Sequence, residues 1–178
     1  MTVLHCTQKV LSEGGFLESA LNVFPGKDSQ TEHWYTHLFL CRRKKHLIFT
    51  HAHSLFSFVL SGIGRNDVRH SAQVFTKALP KAMFYEEFSA EEIKKVSERI
   101  NPISLAKTES RGVVGSMNEF VRHFKWYTED ELLGDEPNII EINKKLNEMP
   151  MRLSKQYVWP SKQFRLLIKN NFAPNAER

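Results

Sequence analysis

Residues Trp34–Leu60 read WYTHLFLCRRKKHLIFTHAHSLFSFVL, and this stretch decides the fold class. Three apolar runs rich in aromatic and β-branched residues are separated by two short polar joints, and such runs favour extended strands. The runs are Trp34–Leu40, Leu47–Thr50 and Leu55–Leu60. The first joint holds four consecutive cations, Arg42–Lys45, which we call the basic tip. The pattern predicts an antiparallel three-stranded meander whose first turn carries the basic tip.

After the meander, the apolar spacing changes to that of helices. The clearest helix pattern follows Ser110, where six apolar residues fall on one helical face. They are Val113, Val114, Met117, Phe120, Val121 and Phe124. Ser89 and Glu92 have the spacing of a capping box, so a second helix is predicted to begin there and to end before Pro102.

The remaining segments complete an α+β arrangement. We predict a strand at Val3–Cys6, a helix at Phe16–Phe24, a helix after Asp67 that Pro80 interrupts, a strand at Ile103–Glu109, a helix at Asn138–Glu148, an extended segment at Gln156–Trp159 and a last helix from Pro160. Because strands group early and helices late, we expect a small antiparallel sheet packed against amphipathic helices rather than alternating βαβ units. One domain is expected over residues 1–172, with a polar tail at 173–178.

Length and composition indicate a soluble globular protein. The chain has 178 residues, of which 41% are hydrophobic and 25% are charged. No apolar run approaches the roughly 20 residues that span a bilayer, and the N-terminal residues do not resemble a signal peptide. We therefore expect a cytoplasmic protein without a membrane partner, whose two cysteines, Cys6 and Cys41, are buried free thiols.

The charge distribution suggests the class of partner. A net charge of +5 permits attraction to nucleic acid or to an acidic surface of a protein complex. The candidate binding residues lie in the basic tip and on the polar face of the helix after Ser110. They are Arg42, Arg43, Lys44, Lys45, Arg111, Asn118, Arg122 and Lys125. The alternative is that the basic tip is a solvated turn whose charges discourage sheet edges from pairing.

No motif in the sequence assigns a catalytic residue. In an extended chain His51 and His53 would point to one side and could share a metal, but a third ligand is not evident nearby. We predict no metal site and no cofactor. Gly115 lies inside the strongest helix pattern, where glycine costs roughly 1 kcal/mol relative to alanine. Either close packing on the sheet or a recognition surface around Ser116 and Asn118 would explain it.

Several pieces in order along the chain resemble an uncharacterised prokaryotic domain family that is often carried on plasmids and other mobile elements. They are Leu4–Lys9, Trp34 leading into Arg42–Lys44, Leu47–Phe49 with Leu55–Ser57, Gly115–Asn118, Leu146–Asn147, Tyr157 and Pro160. The histidine-rich joint Thr50–Ser54 departs from the family pattern, and the stretch 66–101 is not distinctive. The resemblance implies a small protein with a mobile-element or phage connection, and it supplies no activity.

These observations together lead to two expectations about function. The first is a non-enzymatic binding protein of mobile-element or phage biology (defence, counter-defence or toxin–antitoxin control) that acts on nucleic acid or on a nucleic-acid-handling complex. The second is a small metal-independent ribonuclease-like toxin, in which His46, Arg43 and Arg122 would supply a base and two cations. An oligomer is compatible with either expectation.

Overall fold

A mixed five-stranded sheet forms the centre of the protein. The computed structural model describes residues 1–17, 21, 31–130 and 136–172. The strands are β1 (Thr2–Cys6), β2 (Glu32–Cys41), β3 (Lys44–His51), β4 (Ser57–Ser61) and β5 (Ile103–Lys107). Their spatial order is β4-β3-β2-β1-β5. The predicted meander is confirmed, because β2, β3 and β4 pair antiparallel with Leu38 opposite Leu47.

The prediction of a purely antiparallel sheet is wrong, because β1 runs parallel to both of its neighbours. Thr2 lies opposite Glu32 of β2 and opposite Ile103 of β5. All five residues of β1 are buried, as expected for a strand paired on both edges and covered on both faces. Parallel strands need long crossover connections, and the chain provides them between β1 and its two partners.

Helices cover both faces of the sheet. In the described residues they are α1 (Gln8–Gly14), α2 (Arg65–Arg69), α3 (Ser71–Tyr85), α4 (Ala90–Arg99), α5 (Arg111–Asp130), α6 (Ile139–Glu148) and α7 (Pro160–Lys169). One core lies between one face of the sheet and α3, α4 and α7, with Trp34 and Phe164 at its centre. A second core lies between the other face and α5 and α6, around Phe120 and Phe124. None of the helices in the described ranges is both long and apolar enough to cross a bilayer.

The helix predictions succeed wherever several turns share one apolar face. The capping box of α4 is confirmed, since Ser89 Oγ accepts from Glu92 N at 3.2 Å while Glu92 Oε2 accepts from Ser89 N at 2.8 Å. The predicted interruption at Pro80 is wrong, because Pro80 lies inside α3. Burial of Phe75, Leu79 and Met83 in the first core offsets the cost of roughly 3 kcal/mol for an interior proline.

Some predicted segments differ from the observed elements, and others lie outside the described residues. α1 was not predicted, and the helix predicted at Phe16–Phe24 falls largely outside the described ranges, as does the tail 173–178. The extended segment near Gln156 is strand β7 (Gln156–Val158), which pairs antiparallel with an unpredicted strand, β6 (Met151–Leu153).

Two asparagines of α6 cover the free edge of β4. Asn147 accepts from Ser57 N at 2.9 Å and donates to Ser57 O at 2.7 Å. Asn143 accepts from Val59 N at 2.9 Å and donates to Val59 O at 3.2 Å. The i,i+4 spacing on the helix thus matches the i,i+2 spacing on the strand, and the amides satisfy the groups that a further strand would bind.

Candidate nucleic-acid interface

The basic tip is built on a two-residue turn with an unusual backbone. Arg42 and Arg43 connect β2 to β3 with φ values of 48° and 62°, the sign pattern of a type I′ turn. That turn favours Asn-Gly, because the left-handed region costs other L-residues roughly 1–2 kcal/mol each. The backbone therefore does not account for the choice of arginine at either position.

The four cations of the basic tip fall into two classes. Lys44 Nζ donates to both carboxylate oxygens of Glu136, at 2.6 and 2.7 Å, and Lys45 pairs with Glu13. Arg42 and Arg43 are exposed and form no ion pair among the described residues. The sequence placed all four cations in the joint, whereas the structure places both lysines within β3 and leaves only the arginines in the turn.

The outer face of α5 carries the other predicted residues. Arg111, Asn118, Arg122 and Lys125 are all exposed. Arg122 is paired with Glu119, whereas Arg111 and Lys125 make no ion pair within the described ranges. Trp126 lies one turn after Arg122 and beside Lys125, and it is 55% exposed. An exposed indole on the same side of a helix as an arginine is a surface on which a nucleic-acid base can stack.

Gly115 lies on this outer face and has no packing partner there. A β-carbon added to Gly115 would meet no heavy atom within 4 Å. The close-packing interpretation of this glycine is therefore wrong. Its spacing of three and seven residues from Asn118 and Arg122 places the bare backbone on their side of the helix.

Contacts between α5 and the β2–β3 hairpin bring part of this surface together. Cys41 Sγ lies 3.2 Å from Thr128 Oγ1, and the ring centroids of Phe39 and Phe124 are 5.4 Å apart. The second half of α5, with Lys125 and Trp126, therefore lies at the basic-tip end of the hairpin. Arg111 does not, because the start of α5 packs beside Tyr35, whose hydroxyl accepts from Ser110 N. Tyr35 and Cys41 are six positions apart along β2, which is roughly 20 Å.

A cavity of about 230 Å³ lies at the base of the basic tip. Its lining includes Arg42, Lys44, His46, Ser61 and Glu136. His46 is 3% exposed and is stacked on Phe39, with Phe124 against its edge. Burial lowers the pKa of His46, and its Nε2 donates to Cys41 O at 3.2 Å. Its Nδ1 then carries a lone pair, and no described residue forms a hydrogen bond with that atom.

His5 of β1 and His33 of β2 form a hydrogen-bonded pair of imidazoles, at the end of β2 that is opposite to the basic tip. Lys107 O can only accept, so His5 Nδ1 donates to it at 2.8 Å. Burial lowers the pKa of both His5 and His33, so both rings are neutral at pH 7. His5 Nε2 therefore accepts from His33 Nδ1 at 2.9 Å, which leaves the lone pair on His33 Nε2. This half-buried nitrogen is chemically able to act as a general base.

A buried serine, histidine and glutamate lie near this histidine pair and have a structural role. His51 bonds Ser54 Oγ at 2.9 Å through Nδ1 and Glu32 Oε2 at 3.0 Å through Nε2. Ser54 also accepts from Phe56 N and is completely buried, so its hydroxyl secures the β3–β4 connection and cannot meet a substrate. Within the described ranges, no three His, Cys, Asp or Glu side chains are grouped so that they could hold a metal ion.

Sequence reasoning missed three features of this region. It treated His46 as an accessible base for cleavage of RNA, but the ring is buried between aromatic side chains. It also overlooked Trp126, although helical periodicity places that residue on the polar face with Arg122 rather than with Phe120 and Phe124. The pairing of Lys44 with Glu136 joins residues 92 positions apart and has no local signal in the sequence.

Comparison with known proteins adds a family but no activity. The family model described as Domain of unknown function (DUF6933) matches residues 3–163. Curated proteins gave no match to this chain.

Proposed function

This chain belongs to the DUF6933 family, whose description names no function, and we propose that it binds nucleic acid through the basic tip and the adjoining outer face of α5. A mobile-element or phage setting is part of the same proposal. The acidic surface of a protein complex is the competing partner.

The observation that carries the proposal is the pair of arginines in the turn. Arg42 and Arg43 occupy left-handed positions that Asn-Gly would fill with less strain. Residues held in costly backbone conformations are a reason to look for a function. Neither arginine forms an ion pair with a carboxylate among the described residues, although the hydrogen bond from Lys44 and the nearby charge of Arg42 lower the pKa of Glu136, so both guanidinium groups are able to pair bidentately with phosphates.

Trp126 favours a single strand as the target. A helix face that displays an indole one turn after Arg122, with Lys125 on the far side of that arginine, offers both stacking and charge. Base stacking contributes roughly 1–3 kcal/mol per base and needs an unpaired base, since a duplex does not present its base faces.

The test separates binding from folding by a substitution that the turn should tolerate. The double variant Arg42→Asn/Arg43→Gly supplies the residues that a type I′ turn favours, so its stability should be equal to that of the wild type or higher. Its affinity for single-stranded RNA and DNA, measured by fluorescence anisotropy over a salt series, should fall. The log–log salt slope should become shallower by about 1.4, because each lost phosphate contact removes about 0.7 on single strands.

The control removes two cations elsewhere. Lys77 and Lys81 are exposed on α3, and Lys77→Gln/Lys81→Gln lowers the net charge by the same two units. That variant should keep the wild-type slope. Equal losses in both variants would show that only net charge matters. Wild-type protein that binds neither RNA nor DNA at low salt would contradict the proposal and favour an acidic protein partner.

A second candidate function is metal-independent cleavage of RNA. His46 is too buried to reach a scissile phosphate, and the supporting observation is the lone pair on His33 Nε2. The RNA recovered from the binding assay should then be shortened by the wild type and left intact by His33→Ala. Intact RNA after incubation with the wild type would exclude this candidate.

A further inference from the structure

We propose that the cavity at the base of the basic tip binds a phosphate monoester, which takes the place of the Glu136 carboxylate on Lys44. This inference deepens the proposed function, because it names the group of a nucleic-acid strand that this end of the molecule would recognise. Such a phosphate group could belong to the phosphorylated end of a nucleic-acid strand or to a small phosphate compound.

The first supporting observation is that an anion already occupies part of the cavity rim. Glu136 places both carboxylate oxygens on Lys44 Nζ, in the position that two phosphate oxygens would take. The two side chains are 80% and 48% exposed, and ion pairs of such exposure are weak. A dianion that also contacts Arg42 can therefore displace the carboxylate.

The second observation is independent of the ion pair and concerns His46. This ring is almost fully buried, lines the same cavity and has no described partner for Nδ1. Buried ring nitrogens are normally hydrogen-bonded, so a ring that lines the cavity with one nitrogen unsatisfied is able to take up a proton when an anion lies close to it. If His46 takes up a proton, its ring adds a positive charge to the cavity wall, beside those of Arg42 and Lys44.

The size of the cavity selects the ligand. At about 230 Å³ it lies below the range of roughly 300–1,000 Å³ typical of sites that enclose a whole small molecule. A phosphate group fits, and the rest of the nucleotide would then lie outside, toward the basic tip. The charged and titratable groups that share the cavity with His46 are Cys41, Arg42, Lys44 and Glu136.

Titration of the whole 178-residue chain with inorganic phosphate, measured by calorimetry at pH 7 and low salt, tests the site. Lys44→Gln should weaken phosphate binding about tenfold or more, because it removes a charge-assisted donor. Glu136→Gln should strengthen binding about twofold to fivefold, because it removes a competing carboxylate of an exposed pair. The matched controls are Lys94→Gln and Glu98→Gln, which break an exposed ion pair on α4 and should change nothing.

A spectroscopic readout reports on His46 without replacing it, since substitution of a buried ring could unfold the protein. Sulfate keeps a constant charge across the pH range in which a histidine titrates. Its binding beside His46 should therefore raise the pKa of that ring, which NMR can follow, and Lys44→Gln should abolish the shift. The inference is overturned if phosphate does not saturate, if Glu136→Gln and Glu98→Gln behave alike, or if sulfate leaves His46 unmoved.

Two strands of one sequence distinguish this inference from the proposed function. A strand with a 5′-phosphate should bind more tightly than the same strand with a 5′-hydroxyl, and adenosine monophosphate should compete with the former. Strand binding with no effect of the 5′-phosphate and no phosphate saturation would overturn the inference alone. Phosphate binding that follows the variants, without any strand binding, would overturn the proposed function alone.

Discussion

At the scale of single residues, Gly115 distinguishes a structural from a functional use of a helix position. Glycine in a helix interior costs roughly 1 kcal/mol relative to alanine. Such a residue is expected where a neighbour approaches too closely for a β-carbon, but apart from the adjoining residues and the backbone of α5 itself no heavy atom lies within 4 Å of an added β-carbon. The glycine therefore lowers stability without a gain in packing.

Gly115→Ala should accordingly raise the free energy of unfolding by about 1 kcal/mol, because the added methyl group lowers the backbone entropy of the unfolded chain and meets no clash. Urea unfolding monitored by circular dichroism measures this change. If the bare backbone of α5 contacts a bound strand, the same variant should bind single-stranded RNA less tightly. A variant that is less stable than the wild type would show that the glycine has a structural role.

The residues of the interface differ in how far the sequence could predict them. The position of the basic tip follows from four cations between two apolar runs, and the exposure of Arg122 and Lys125 follows from helical spacing. The positive φ angles of Arg42 and Arg43 oppose ordinary turn preferences, so no local rule indicates them. The partner of Lys44 comes from a segment far along the chain, and only the tertiary fold brings it near.

At the scale of elements, length decided which predictions succeeded. The five buried apolar residues of α5 that face the second core (Val113, Met117, Phe120, Val121 and Phe124) extend over more than three turns, so its periodicity is unambiguous. α1 has seven residues, too few to establish a period, and it forms because Val10 and Leu11 reach the first core. The sequence of the five-residue β1 predicts a strand, but it contains no signal that the neighbouring strands run parallel to it.

The asparagine pair on α6 makes a specific prediction about the edge strand. Asn147→Ala leaves the buried N–H and C=O groups of Ser57 without these partners, at a cost of about 2–6 kcal/mol, because unsatisfied groups cost roughly 1–3 kcal/mol each. Asn143→Ala should cost less, because Asn143 is less buried.

Amide hydrogen exchange checks the pairing residue by residue. Asn147→Ala should accelerate exchange at Ser57 more than at Val59, and Asn143→Ala should do the reverse. Equal acceleration at both amides would mean that the two asparagines stabilise only the helix contact, and that β4 is not covered by individual amides.

At the scale of the whole molecule, partly or fully buried neutral histidines connect the fold to pH. Burial lowers the pKa of His5, His33 and His46, and it lowers the pKa of His37 to about 4, assisted by the charges of Lys9 and Lys125. In the unfolded chain these side chains titrate near the ordinary value of about 6.5. The unfolded state therefore binds more protons than the folded state between about pH 6.5 and pH 4.

The pKa shift of Glu86 affects stability with the opposite dependence on pH. It lies in a cleft beside Asn147, and burial raises its pKa to about 7. Its protonated form is favoured in the folded state, so its contribution is fully present below the unfolded pKa near 4.5 and is lost as the pH rises through about 7. Glu86→Gln keeps the acceptor for Asn147 Nδ2 and removes the buried charge. Burial also lowers the pKa of His53 to about 4. Five histidines thus oppose this single carboxyl group, so the histidines should dominate below pH 6.5.

We therefore expect the free energy of unfolding to fall steadily as the pH is lowered from 6.5 toward 4, with about 2 kcal/mol lost by pH 5 from His37 alone. Urea unfolding at pH 7.5, 6.5 and 5.5 measures this slope. His37→Gln should flatten it, because glutamine takes up no proton, whereas Glu86→Gln should leave the acid slope in place and raise stability above pH 7. A stability that is constant from pH 7.5 to 5.5 would mean that these imidazoles are charged in the folded protein. In that case the lone pair assigned to His46 Nδ1 would already carry a proton, and the cavity beside it would hold a fixed positive charge rather than one that appears when an anion binds.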